Sequence, residues 1–111
     1  MAVVVLSICL LGGCAEEALP QRRTTPDDCL RSVEVTKLDE AIKRCDRVVA
    51  SFPQEPLPLN ERFLLHSLKG DNTAACSDIR RADALVRRLP AQQIDRLLRN
   101  DIKLRLASCQ D

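Results

Sequence analysis

From Leu38 onward, apolar side chains recur every three or four positions. Leu38, Ala41, Ile42, Cys45, Val48, Val49 and Phe52 form one stripe that stops at Pro53, the spacing of one face of an α-helix. A second stripe, Ala75, Ile79, Ala82, Val86 and Leu89, runs to Pro90. A third holds Ile94, Leu97, Leu98, Ile102, Leu104 and Leu106 and ends at Cys109. Between the first two, "PLNERFLLHSLKG" predicts a helix opened by Pro58 and closed by Gly70. Proline's fixed φ suits a first turn, and glycine best tolerates the left-handed C-terminal cap. Upstream, Thr25 is placed to cap, Pro26 to take the first helical position, and Asp27 and Asp28 to sit at the positive end of the dipole, which predicts a short opening helix. Strand signals are missing. The expected fold class is all-α, a short antiparallel array of helical hairpins with five helices at about 27–35, 38–52, 58–69, 73–89 and 91–108.

The first thirteen residues, "MAVVVLSICLLGG", carry no charged side chain. Their apolar run has the length of a signal-peptide h-region and falls short of the roughly 20 residues that cross a bilayer. The next step, Leu11-Gly12-Gly13-Cys14, resembles the bacterial lipobox. That resemblance implies a diacylglycerol on the Cys14 sulfur, cleavage before it, and acylation of the new amine, palmitate being such an acyl group. Two or three acyl chains, at about 0.8 kcal/mol per buried CH₂, anchor stably where one does not. Ala15, not Asp, follows the cysteine, so by the same resemblance nothing retains the chain at the inner membrane. The expected place is the bacterial envelope, at the periplasmic face of the outer membrane. Three regions follow: residues 1–13 as a removed signal, 14–25 as lipidated cysteine and polar tether, and 26–111 as the helical domain.

Laid over one another, "TKLDEAIKRCDRVVA" and "GDNTAACSDIRRADA" place Ala41 on Ala75, Cys45 on Ile79 and Val48 on Ala82, an offset of 34 residues that also carries Cys29 onto Phe63 and Leu30 onto Leu64. With its Gly70-Asp71 turn and small-bulky-small order along the second helix, this resembles the tetratricopeptide repeat. The resemblance covers about residues 22–90 as two repeats, with 91–108 as a closing helix. It implies a groove that binds a peptide or protein, although the residues by which such repeats clamp a terminal carboxylate are not recognisable here.

Six cysteines occur. Cys9 leaves with the signal and Cys14 carries lipid, so Cys29, Cys45, Cys76 and Cys109 remain. An exported chain meets oxidants, and four thiols allow three pairings. The repeat register favours Cys29 with Cys45, because they fall where Phe63 and Ile79 fall in the second copy. Cys76, near the start of the fourth helix, then meets Cys109 at the end of the antiparallel fifth. Zinc is not expected, since its ligands come in close pairs, whereas the gaps here are 16, 31 and 33 residues and His66 stands alone.

Composition narrows the function further. A net charge of +1 and only two aromatics, Phe52 and Phe63, exclude a generic nucleic-acid binder with stacking platforms. No nucleophile elbow, zinc-hydrolase motif, phosphate loop or dinucleotide fingerprint is present, so neither enzyme activity nor a cofactor is expected. Charge is nonetheless uneven: Arg80, Arg81, Arg87, Arg88, Arg96, Arg99, Lys103 and Arg105 stand against Asp83, Asp95 and Asp101. Arginine forks suit phosphate and carboxylate. The leading expectation is a lipid-anchored helical module that scaffolds a protein partner. The alternative is a binder of anionic lipid head groups or envelope glycan through these eight cations.

Overall fold

The computed structural model describes residues 23–109, and in this region the chain is all-helical. Four helices follow one another: α1 Leu38–Ser51, α2 Pro56–Lys69, α3 Asn72–Arg88 and α4 Arg96–Ser108. Short 3-10 turns, Val35–Lys37 and Ala91–Gln93, precede α1 and α4. The expected signal segment, residues 1–13, and Cys14 lie outside the described residues.

The expected opening helix is a pair of turns. Thr25 and Asp28 do make the reciprocal contacts of a helix start, the Thr25 amide donating to Asp28 Oδ2 at 2.9 Å and the Asp28 amide to the Thr25 carbonyl at 3.1 Å. The coil does not propagate. Ser32 takes a left-handed φ of 57° and Glu34 is extended. A helix of under ten residues gains little from cooperativity, and β-branched Val33, Val35 and Thr36 resist the helical rotamer. The segment is held by packing: Cys29 is fully buried and bonded to Cys45 of α1, with Cα atoms 4.5 Å apart.

The helix ends follow local chemistry. Pro53 bars extension of α1, whose last bond is from the Phe52 amide to the Val48 carbonyl. α2 begins two residues before the expected Pro58 because Pro56 takes its first turn, where the missing N–H costs nothing. Gly70 caps α2 at φ 87°, and the Gly70 and Asp71 amides close onto the Ser67 and His66 carbonyls. A Cβ on Gly70 would meet nothing within 4 Å, so only backbone strain opposes one. Gly70→Ala is therefore expected to lower the unfolding free energy by about 1 kcal/mol, and Gly70→Asn by less, as measured by urea denaturation. Asp71 caps α3 through the Ala74 amide, and Asp95 caps α4 through the Leu98 amide. That second cap divides the last segment, expected as one helix from residue 91.

α1 packs on α2 and α2 on α3, and α4 packs on α3 and, less extensively, on α2. The core is aliphatic: Val48 and Val49 from α1, Leu59 and Leu65 from α2, Ile79 and Ala82 from α3, and Ile102 from α4. The pairs 34 residues apart on α1 and α3, Ala41 with Ala75, Cys45 with Ile79 and Val48 with Ala82, are all buried, and the two helices start at the same offset. Among the described residues α2 has no α-helical counterpart before α1. The bond Cys76–Cys109 ties the start of α3 to the end of α4, so both disulfides join the expected cysteines, the first favoured by the register and the second by the meeting helix ends. Two leucines of the last stripe leave the core. At 100° per residue Leu97 and Leu104 stand about 140° and 160° around α4 from buried Ile102, and they are 75% and 71% exposed.

Candidate functional site

Three polar features stand out on this frame. The first joins α1, α2 and α3. Asp46, Arg62 and Asp78 follow at intervals of 16 residues, one on each helix. Arg62 grips Asp78 with both arms of its guanidinium at 2.7 and 2.8 Å and reaches Asp46 at 2.9 Å. The Asp78 hydrogen bonds hold Arg62 even more firmly protonated than usual. His66 lies beside the same carboxylate, Nε2 to Oδ2 3.7 Å. Asp78 is buried, and the group fastens the three helices to one another.

The second is a cleft of about 400 Å³ between the amino-terminal turns, the start of α2 and α4. Leu30, Leu57, Leu97 and Leu98 give it apolar walls, and Asn60, Glu61, Asp95, Asp101 and Arg105 give it polar ones. Asn60 is 4% exposed. Its amide nitrogen donates to Asp101 Oδ2 at 3.0 Å, and its backbone carbonyl accepts from Arg105 at 2.7 Å. Arg105 also meets Asp101 at 3.4 Å and lies 5.2 Å over the Phe63 ring. It therefore belongs to this cleft and not to an exposed basic face. Two buried acceptors remain without a donor among the described residues, Asn60 Oδ1 and Glu61 Oε1.

Burial pushes the Glu61 carboxyl up to about 7; Asp27 and then Asp28 add to the rise, against the pull of Arg105. Its sign for stability is unfavourable at high pH. The folded state keeps the proton between about 4.5 and 7 while the unfolded chain has lost it, so stability falls as pH rises through that window,. Glu61→Gln is expected to raise the melting temperature at pH 8 by roughly 4 °C, solvent screening allowed for, and to change little at pH 4.5. Equal shifts at the two pH values in a thermal melt would contradict this.

The third feature is the basic side. Of its eight expected members, Arg80 donates to the Cys109 carbonyl at 3.3 Å and Arg87 pairs with Asp83 at 2.6 Å. On α3, Ala84 is ringed at its i±3 and i±4 neighbours by Arg80, Arg81, Arg87 and Arg88,. Arg81 and Arg88 flank a small cleft of about 210 Å³ against Pro53 and Gln54 of the α1–α2 loop. Arg96, Arg99 and Lys103 form a stripe along α4. Arg81, Arg88, Arg96, Arg99 and Lys103 have no ion pair among the described residues.

Periodicity could not reveal the clamp or the cleft, because both depend on how helices align with one another. The equal 16-residue steps of Asp46, Arg62 and Asp78 were the available signal. Among the described residues no group of His, Cys, Asp or Glu is placed to hold a metal ion, and no helix is long and apolar enough to cross a membrane. Comparison with protein-family models, with curated proteins and with solved structures finds no match.

Proposed function

We propose that this chain is a lipid-anchored module of the bacterial envelope, held at the periplasmic face of the outer membrane through Cys14, whose repeat-like helical body scaffolds a protein partner and performs no catalysis of its own. The carrying observation is the cleft over α2 and α4. Its apolar and polar walls come from three separate segments, and Leu97 on its rim and Leu104 about two turns further along α4 are open to solvent. Clefts of mixed wall chemistry at element junctions are where ligands and partner segments seat, and exposed leucines beside one add contact area. The lipobox-like Leu11-Gly12-Gly13-Cys14 and the two disulfides support an exported, oxidised setting,. Photo-crosslinking in cells tests the reading. A crosslinker at position 97 or 104 is expected to capture the same protein, and one at exposed Arg47 of α1, which does not line the cleft, is not. Identical capture from all three positions, or none from 97 and 104, would contradict it.

A second reading rests on a different observation, the five unpaired cations of α3 and α4. Beneath an acyl anchor they suit anionic head groups, each basic side chain near such a surface contributing about 1 kcal/mol. A soluble version lacking residues 1–14 would then co-sediment with phosphatidylglycerol vesicles and be released by salt. Binding indifferent to salt would remove this reading.

A further inference from the structure

We propose that the cleft between α2 and α4 captures a basic side chain of the protein partner, its alkyl stem lying along Leu30, Leu57 and Leu98 and its N–H groups completing the acceptors of Asn60 and Glu61. This rests on the scaffold reading and specifies what that scaffold recognises. Carboxylates alone would not carry it, since surface acids are ordinarily solvated. The decisive feature is Asn60, almost wholly buried, lining the cleft, and holding Oδ1 without a donor. A buried acceptor left open costs free energy that a suitable donor recovers. Glu61 Oε1 is orphaned beside it on the same helix turn. Arg105, the only cation among the described residues that line the cleft, is already engaged with Asp101 and the Asn60 carbonyl. The cleft therefore presents acceptors and negative charge in excess of this one cation, and the leucine walls match an aliphatic stem, which lysine and arginine lay along apolar surface. An anionic head would be repelled by the acidic side chains lining the cleft, and a neutral donor would fill the acceptors but leave that charge uncompensated.

Charge around the site sets a pH dependence. Asp27 and Asp28 face Glu61 from the amino-terminal turns, and Asp95, Asp101 and Arg105 line the cleft from α4. With Glu61 titrating at about 7, its ionised fraction rises about tenfold between pH 6 and pH 8, and capture of a cation rises with it.

The test is an NMR titration of the full chain in detergent micelles with the capped tripeptide Ac-Leu-Arg-Leu-NH₂. Its isosteric control is Ac-Leu-Met-Leu-NH₂, and hexylguanidinium is the free-cation arm. The arginine peptide is expected to shift the Asn60 side-chain amide and the Leu98 backbone amide. It is expected to bind at least about tenfold more tightly than the methionine peptide, and about tenfold more tightly at pH 8 than at pH 6. Glu61→Gln, which favours the folded state at pH 8, is expected to weaken the arginine peptide about tenfold and to flatten its pH profile. Equal binding of the two peptides, or no shift at Asn60, overturns the inference. Hexylguanidinium binding as tightly as the arginine peptide overturns its assignment to a partner side chain. The scaffold reading fails separately: a partner crosslinked from position 97 regardless of Glu61→Gln leaves the scaffold standing and removes the basic-side-chain specificity.

Discussion

Replacing Cys76 and Cys109 together by alanine is expected to lower the unfolding free energy by about 4 kcal/mol. The bond spans 33 residues of sequence, and closing a loop of that length removes roughly this much free energy from the unfolded ensemble. For a small domain with a total of about 5–15 kcal/mol, the loss is a large share. Its location magnifies the consequence. α4 contributes one fully buried side chain, Ile102, with Leu98 and Leu106 packed part-buried beside it, and its other fastenings are Arg105 and Asp101 on Asn60. Without the covalent tie, α4 is expected to lose amide-exchange protection before α1, α2 and α3 do. The Cys29–Cys45 pair, with a separation of 16, is expected to contribute about 3 kcal/mol and to secure only the amino-terminal turns. Denaturant unfolding with exchange mass spectrometry checks both points. A change under about 1 kcal/mol, or uniform loss of protection, would show that α4 is held by side-chain packing alone.

Asp78→Ala is expected to cost about 3–5 kcal/mol, since removing one partner of a buried pair strands the other. Arg62 has a side chain only 18% exposed, and the remaining partner, Asp46, is 53% exposed. The guanidinium would keep its charge, lose both short bonds and have one solvated carboxylate left. A double-mutant cycle separates this penalty from the net value of the pair. Arg62→Met combined with Asp78→Leu is expected to recover most of the loss, because an apolar pair of similar volume carries no stranded charge. Asp46→Ala is expected to cost under about 1 kcal/mol, as exposed pairs do. If Asp78→Ala were as mild as Asp46→Ala, the three-helix clamp would be incidental to stability.

What could be read from residues alone divides along physical lines. Helix existence was legible because burial on one face writes a 3.6-residue period into α1 and α3. The turn at Gly70 was legible because a left-handed cap has one preferred residue. Cys29–Cys45 was legible through the 34-residue register, which lays Cys45 on the core position of Ile79, and Cys76–Cys109 through the meeting ends of the last two helices. Failures came where local and tertiary preferences compete. Thr25, Pro26, Asp27 and Asp28 promise a helix, yet the coil stops after a turn because Ser32 is left-handed and Cys29 is pulled onto α1. Leu97 and Leu104 were counted into an apolar stripe that begins at Ile94, and the Asp95 cap restarts the helix and turns both outward. Arg105, one of eight clustered cations, joins Asn60 instead of the surface because its place on α4 faces α2. The cleft itself is a property of three segments meeting, and no single stretch of chain encodes it.

Export and acylation at Cys14 are the proposal on which the rest depends: they would place the later thiols where disulfides persist and would hold the cleft at a membrane. Intact mass spectrometry of the protein extracted from membranes, alkylated with and without prior reduction, tests it most directly. The expected species begins at Cys14, carries acyl groups, and takes up alkyl groups only after reduction, at the four cysteines of the two disulfides. A chain retaining Met1, with all six thiols alkylated without reductant, would contradict it.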